Sequence, residues 1–251
     1  MDGLLTRGLK SLCESDSDTA RIIGKRFDQV VSLLERYIAE IELFNAAYGL
    51  VSVKNREELV VRHILDSLSP LGIIARLFTD DRLLADGRLL TDRRLLADDR
   101  LGGAEAGLRI ADVGSGAGLP GIPLAICLPG VHFTLIERMG RRAGFLRNTQ
   151  AVLSLANIEI EEEEMEKVPP ARFDAIVFRA FRPLDAPMLK GLFRLLKTGD
   201  FLAAYKGRRE AIDAEMAATE SEPAGRSWKA LSCPVPFLKE ERHLVVIGKD
   251  P

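Results

Sequence analysis

The chain has 251 residues, enough for one full α/β domain with an appendage or for two small domains, and 47% of them are hydrophobic, so a packed core is available. Its 35 Lys and Arg against 37 Asp and Glu leave a formal net charge of −2, which excludes a protein that is basic all over; a nucleic-acid partner would meet a local patch. Cys13, Cys127 and Cys233 lie far apart and match neither a disulfide framework nor a metal-ligand spacing, and no segment has signal-peptide or membrane-span character, so a soluble cytoplasmic protein without a metal is expected.

Apolar residues at Ile23, Phe27, Val30, Leu34, Tyr37, Ile41 and Phe44 recur every three or four positions and predict one long amphipathic helix. A second helix is expected from Asn55, which can cap it while Glu58 reaches back, through Ile64 and Leu68 to a stop before Pro70. Between Asp80 and Leu101 lies a six-residue repeat opening at Arg82, Arg88 and Arg94. Its period suits neither a helical face nor a strand, and its five Arg against six Asp carry no net basic charge, so it reads as a duplicated surface connection.

From Leu108 onward strands and helices alternate. Strands are expected at Arg109–Val113, His132–Ile136, Ile158–Glu161, Ala175–Phe178, Phe201–Tyr205 and Leu244–Ile247. The alternation predicts a mostly parallel sheet with helices on both faces and ligand at the carboxyl ends of its strands.

The first strand runs into the segment 110–121, where Asp112 precedes Gly114, Gly116, Gly118 and Gly121. Such a loop turns sharply and brings backbone amides against a ligand, with a helix N-terminus behind them. Gly116, Gly118 and Gly121 satisfy the dinucleotide pattern, and Glu137 closes the next strand about 20 residues later, as a ribose-binding acid would. An NAD-type oxidoreductase is therefore one reading. Asp112 argues for the other: a carboxylate is a poor neighbour for a pyrophosphate and a good one for the ammonium and sulfonium of S-adenosylmethionine. Asp112 can also simply brace the loop through backbone amides.

Further along, Met165 and Glu166 fall where the third strand of such a sheet meets its loop, a place to pack a thioether on adenine and meet its amino edge. Arg179 follows the fourth strand at the mouth of the site, where it can contact an RNA phosphate, the cofactor carboxylate or a base edge, or pair with a nearby acid. No His/Asp or Cys/His constellation stands out. His63 reads as a structural helix residue, with substrate contact as the alternative, and His132 and His243 read as structural.

With those residues in view, the chain resembles the RsmG (GidB) family of bacterial methyltransferases, which modify a guanine N7 of 16S ribosomal RNA. The resemblance runs from about Gly49 to the end apart from the repeat, and rests on Val61–Leu68, Asp112–Pro123 with its Leu119-Pro120-Gly121-Ile122-Pro123 continuation, Arg141–Arg147, Phe178–Phe181 and Tyr205–Gly207. It departs at Gly49-Leu50-Val51, where relatives often show Asn-Leu-Thr. The resemblance implies a Rossmann-like fold, S-adenosylmethionine as cofactor, and cofactor contacts at Gly114, Leu119, Met165, Glu166 and Arg179. It also implies 16S rRNA or the small ribosomal subunit as partner. A guanine N7 carries an available lone pair, so positioning rather than a general base would drive the transfer. Arg138, Arg141, Arg142 and Arg147 after the second strand, and Lys206, Arg208 and Arg209 after the fifth, are two basic clusters. Of these, Arg141, Arg142, Lys206 and Arg208 are the residues expected to grip RNA. The expected division is a helical module over 1–78, a repeat-containing insert over 79–104 and the Rossmann-like domain over 105–251, acting as a monomer. A non-catalytic RNA-binding assembly factor is the remaining alternative.

Overall fold

The computed structural model of the protein describes residues 3–78, 107–179, 184–219 and 227–248. The repeat, the body of the 79–104 insert and Phe181 lie outside the described residues.

Helix α1 (Leu4–Ser15) buries Leu5, Leu9 and Leu12 on one side, and α2 (Ser17–Ile23) is capped by Asp16, whose side chain accepts from the Thr19 amide at 2.8 Å. The long helix α3 (Phe27–Tyr48) buries Val30, Leu34, Tyr37, Ile38 and Ile41. It begins four residues later than its periodicity predicts, because a 3₁₀ turn at Gly24–Arg26 leaves Ile23 at the end of α2. Gly49 closes α3 at φ 59°, the left-handed conformation that glycine adopts without a Cβ penalty.

The second predicted helix forms in three joined pieces: α4 (Arg56–Leu59), a π-helical stretch (Val60–Leu65) and α5 (Asp66–Leu68). Asn55 caps it through the Glu58 amide at 2.9 Å, and Glu58 reaches back to the amide of Lys54 at 2.8 Å. A further helix, α6 (Leu71–Leu77), follows Pro70.

The strands β1 (Arg109–Val113), β2 (His132–Ile136), β3 (Ile158–Glu161), β4 (Phe173–Arg179), β5 (Leu196–Lys206), β6 (Trp228–Ser232) and β7 (His243–Gly248) form one sheet in the order β3-β2-β1-β4-β5-β7-β6. The first five pair in parallel, and β7 runs antiparallel to both β5 and β6. Every predicted strand is present, three of them longer than expected, and β6 is an addition. Helices α7 (Gly121–Cys127), α8 (Gly140–Leu153), α9 (Ala186–Leu195) and α10 (Arg209–Thr219) complete the fold.

Alternate residues of each central strand enter opposite cores. Ile110, Phe133, Leu135 and Val177 pack with α3, α7, α8 and the N-terminal helices, while Ala111, Ile136, Ile176 and Phe178 pack with α9 and α10. The N-terminal helices thus share a core with one face of the sheet. Two buried hydrogen bonds, Tyr37 with Ala117 and Tyr205 with Ser67, and a partly buried ion pair, Asp66 with Arg179, add to that apolar seam.

Candidate active site

The switch in strand order between β1 and β4 places the glycine loop at the carboxyl edge of the sheet, where a doubly wound fold holds its ligand. The loop is anchored on both sides. The amides of Gly114 and Ser115 donate to the carbonyl of Ile136 at 2.9 and 3.2 Å, so the loop continues the pairing of β1 with β2. Gly114, Gly116 and Gly118 have φ of 70°, 59° and 89°. These values are costly for residues with a Cβ.

The glycines differ in what surrounds them. A Cβ on Gly116 would meet nothing nearer than the Gly114 carbonyl at 3.9 Å, whereas one on Gly118 would lie 2.4 Å from Ile122 and 3.0 Å from Leu146. Gly116 therefore faces open space and Gly118 faces packed side chains of α7 and α8. Gly118 is not among the residues that line the cavity, and its missing side chain permits close packing there.

Asp112 is completely buried, and its Oδ2 accepts from the Ser115 hydroxyl and the Gly121 amide, both at 2.9 Å. This is the bracing role. Its Oδ1 is buried without a hydrogen-bond partner, and burial pushes the carboxyl up to about 6 against the pull of those two donors. Glu137, 5% exposed, is neither solvent-facing nor paired with the neighbouring arginines: Oε2 accepts from the Gly116 amide and Oε1 from the Met139 amide, each at 2.9 Å. Each carboxylate oxygen keeps lone-pair capacity for a further donor.

A cavity of about 510 Å³ opens beside this loop, within the size range of small-molecule sites. Gly114, Gly116 and Leu119 form one wall, and Arg179, Tyr205 and Lys206 at the ends of β4 and β5 form another. The third wall comes from the N-terminal helices and was not legible as such in the sequence: Leu50, Val51 and Ser52 after α3, then Arg62, His63 and Asp66. The departure at Gly49-Leu50-Val51 thus falls on the cavity itself. Its polar anchor is Asn45, which accepts from the Val51 amide at 2.9 Å.

Arg179 sits at the junction. Its Nη1 is 2.9 Å from Asp66 Oδ2, and its Nη2 donates to His63 Nδ1 at 2.9 Å. A guanidinium has no acceptor, so Nδ1 is unprotonated and the imidazole proton is on Nε2. Burial, with Arg179 and Arg62 nearby, pushes the His63 pKa down to about 4. His63 is therefore a neutral acceptor at neutral pH.

Met165 and Glu166 are not brought to the cavity. The Met165 side chain is 6% exposed in the core beneath α9, so close to Gly191 that a Cβ there would lie 2.7 Å from Cε, and Glu166 is exposed. Arg194 fastens their carbonyls at 2.9 and 3.1 Å. The Met165 side chain packs in the core, for which the side-chain-free Gly191 leaves room.

Of the four residues expected to grip RNA, Arg142 and Lys206 line the cavity, while Arg141 and Arg208 are exposed beyond it. Lys206 is paired with Glu215 at 2.8 Å, and the Arg142 Nε is buried without a partner. Arg147 and Arg209 are engaged by Glu162 and Asp213, each at 2.8 Å or less. Among the described residues, no group of three or more His, Cys, Asp or Glu side chains could hold a metal, and no helix is long and apolar enough to cross a membrane.

The family model for rRNA small subunit methyltransferase G matches residues 30–86 and 100–245, spanning α3, the cavity and the sheet. The chain belongs to this family. Ribosomal RNA small subunit methyltransferase G of Treponema denticola is 38% identical over 253 residues, covering 99% of this chain and 94% of that protein. The protein of the same name from Salmonella agona is 34% identical over 224 residues, covering 88% and 89%. Among solved structures, a predicted O-methyltransferase from Agrobacterium tumefaciens is 26% identical with a TM-score of 0.46, covering 63% of this chain and 78% of its own. The chain is accordingly a methyltransferase with S-adenosylmethionine as its cofactor, and the oxidoreductase reading falls.

The methyltransferase's own residues fit that cofactor. An open glycine at 116, buried carboxylates at Asp112 and Glu137, and an unpartnered Oδ1 suit a ligand that carries an ammonium, a sulfonium and a ribose.

Proposed function

We propose that this protein transfers a methyl group from S-adenosylmethionine to the N7 of a guanine in 16S rRNA of the small ribosomal subunit, acting as a monomer in the cytoplasm. The observation that carries the reading is the cavity shared by the glycine loop and a cationic wall, in a chain 38% identical over nearly its full length to a ribosomal RNA small subunit methyltransferase G. Gly114, Gly116 and Leu119 would hold the cofactor through backbone approach, Glu137 would take its ribose hydroxyls, and Arg179 would meet its carboxylate. Asp112 would act through the loop it braces and through the field of its charge.

The cofactor supplies a methyl on a positively charged sulfur. What the protein must do is hold the base, exclude water and stabilise cationic charge as it moves to the purine. The loop would hold the cofactor in place for this by its rigidity: the Ser115 carbonyl accepts from the amides of Gly118 and Leu119 at 2.8 and 3.2 Å, and the Tyr37 hydroxyl closes on Ala117 at 2.6 Å. No side chain needs to remove a proton, which agrees with His63 serving as an acceptor for Arg179. Outside the cavity, Arg141 and Arg208 would meet RNA phosphates, with Arg142 and Lys206 nearer the target nucleotide. Methylation of purified small subunits with labelled cofactor, followed by mapping of the modified atom, tests the proposal.

A further inference from the structure

The cavity wall contains one carboxylate, Asp66, against five cationic side chains, Arg62, Arg142, Arg179, Lys206 and Arg242. Asp66 is 5% exposed and has two arginine partners at once: Oδ2 is 2.9 Å from Arg179 Nη1, and Oδ1 is 2.9 Å from Arg242 Nε. The two arginines come from different places in the sheet. Arg179 ends β4, and Arg242 precedes β7, with β5 between those strands. Asp66 comes from neither, since it opens α5 directly after the π-helical stretch that carries His63. Such a stretch displaces the following side chains around the helix axis and is often found at functional sites.

We infer that Asp66 is a positioning residue for methyl transfer, which fixes Arg179 and Arg242 together on the cavity wall and thereby makes the site complete only when the N-terminal helices are docked. The inference rests on the proposed function and adds a residue and a dependence that the glycine loop does not contain. The physical reason is charge. Two guanidiniums within reach of one another repel, and in a partly dry cavity that repulsion is weakly screened. A fixed carboxylate between them neutralises one charge and supplies geometry for both. Arg179 gains a second constraint from His63 and a third from the carbonyls of Arg62 and His63 at 3.3 and 3.5 Å, all from the same helical stretch. The Arg179 guanidinium is thus built into the helices while its backbone belongs to the sheet.

The test compares Asp66→Asn and Asp66→Glu with the unaltered protein in two assays: calorimetric binding of S-adenosylhomocysteine, and methyl transfer to small subunits. Asp66→Asn is expected to bind with a stoichiometry near one but with an affinity roughly ten- to hundredfold weaker and a raised KM, the loss of one charged hydrogen-bond partner. Asp66→Glu is expected to recover part of the loss, because charge is restored at a slightly wrong length. Unchanged affinity and KM in Asp66→Asn would overturn the inference. So would a loss that appears only as reduced stoichiometry, which is the mark of a residue needed solely for folding. If Asp66→Asn does not fold, Arg242→Gln reads the same ion pair from its other side, and an unchanged KM there would equally overturn the inference. Failure of the unaltered protein to methylate small subunits, with normal binding of S-adenosylhomocysteine, would instead contradict the proposed function and leave the binding result readable.

Discussion

The hydroxyl of Tyr37, on a helix near the start of the chain, donates to the carbonyl of Ala117 in the glycine loop at 2.6 Å, and both ends of the hydrogen bond are buried. It joins residues 80 positions apart and fastens the N-terminal helices to the glycine loop. Burial holds the Tyr37 phenol well above its ordinary pKa, so it remains a donor throughout the working range. Tyr37→Phe leaves that carbonyl unsatisfied, and a loss of about 1–3 kcal/mol in unfolding free energy is expected. Urea unfolding measures it, and binding of S-adenosylhomocysteine should weaken in parallel.

The two loop glycines should fail differently when given a methyl group. Gly116→Ala places its Cβ in open space beside the cavity but at a φ of 59°, so the protein should lose only about 1–2 kcal/mol of stability to backbone strain, and bind the cofactor product poorly. Gly118→Ala drives a Cβ into Ile122 and Leu146 at a φ of 89°, and overpacking of this kind costs roughly 1–3 kcal/mol. Calorimetric melting of the pair separates the two roles.

A pH dependence follows from His63. Its folded pKa is depressed to about 4 from an ordinary 6.5, so the unfolded chain binds the extra proton between those values. The stability contribution is present above pH 6.5 and is lost as the pH falls towards 4. Its full size is about 3 kcal/mol by linkage. His63→Gln, which keeps an acceptor for Arg179 but cannot titrate, should show a shallower decline in urea midpoint between pH 6.5 and 4. An equally steep decline would assign the acid sensitivity to other groups.

Charge outside the cavity is expected to act on RNA alone. Arg141 and Arg208 are exposed and have no ion-pair partner among the described residues. Replacing both with Ala should weaken RNA binding and flatten the plot of log affinity against log salt by about 0.7 for each phosphate that is no longer neutralised. Filter binding across a salt series measures the slope.

How much of this was legible in the sequence varies with the range of the interactions. The parallel strands and the glycine loop were readable because alternation and turn chemistry are local. Strand β6 was not, since Trp228–Ser232 is a half-exposed edge with no fully buried residue to mark a face. The start of α3 was displaced because periodicity passes smoothly through Gly24–Arg26 while the backbone tightens there. In the site, Asp112 and Glu137 were picked out by their place beside the glycines. The grouping of His63 and Asp66 with Arg179 was invisible, because Asp66 and Arg179 are 113 residues apart and meet only when the helices dock. For Met165 the chain position suggested an adenine contact, and the packing adds that Gly191 makes room for its side chain in the core.

The central claim is tested most directly by incubating the purified protein with methyl-labelled S-adenosylmethionine and unmodified small ribosomal subunits, then locating the label. One methyl group on the N7 of a single guanine of 16S rRNA is the predicted result. Label at another atom, label spread over many guanines, or no transfer despite measurable cofactor binding would contradict it.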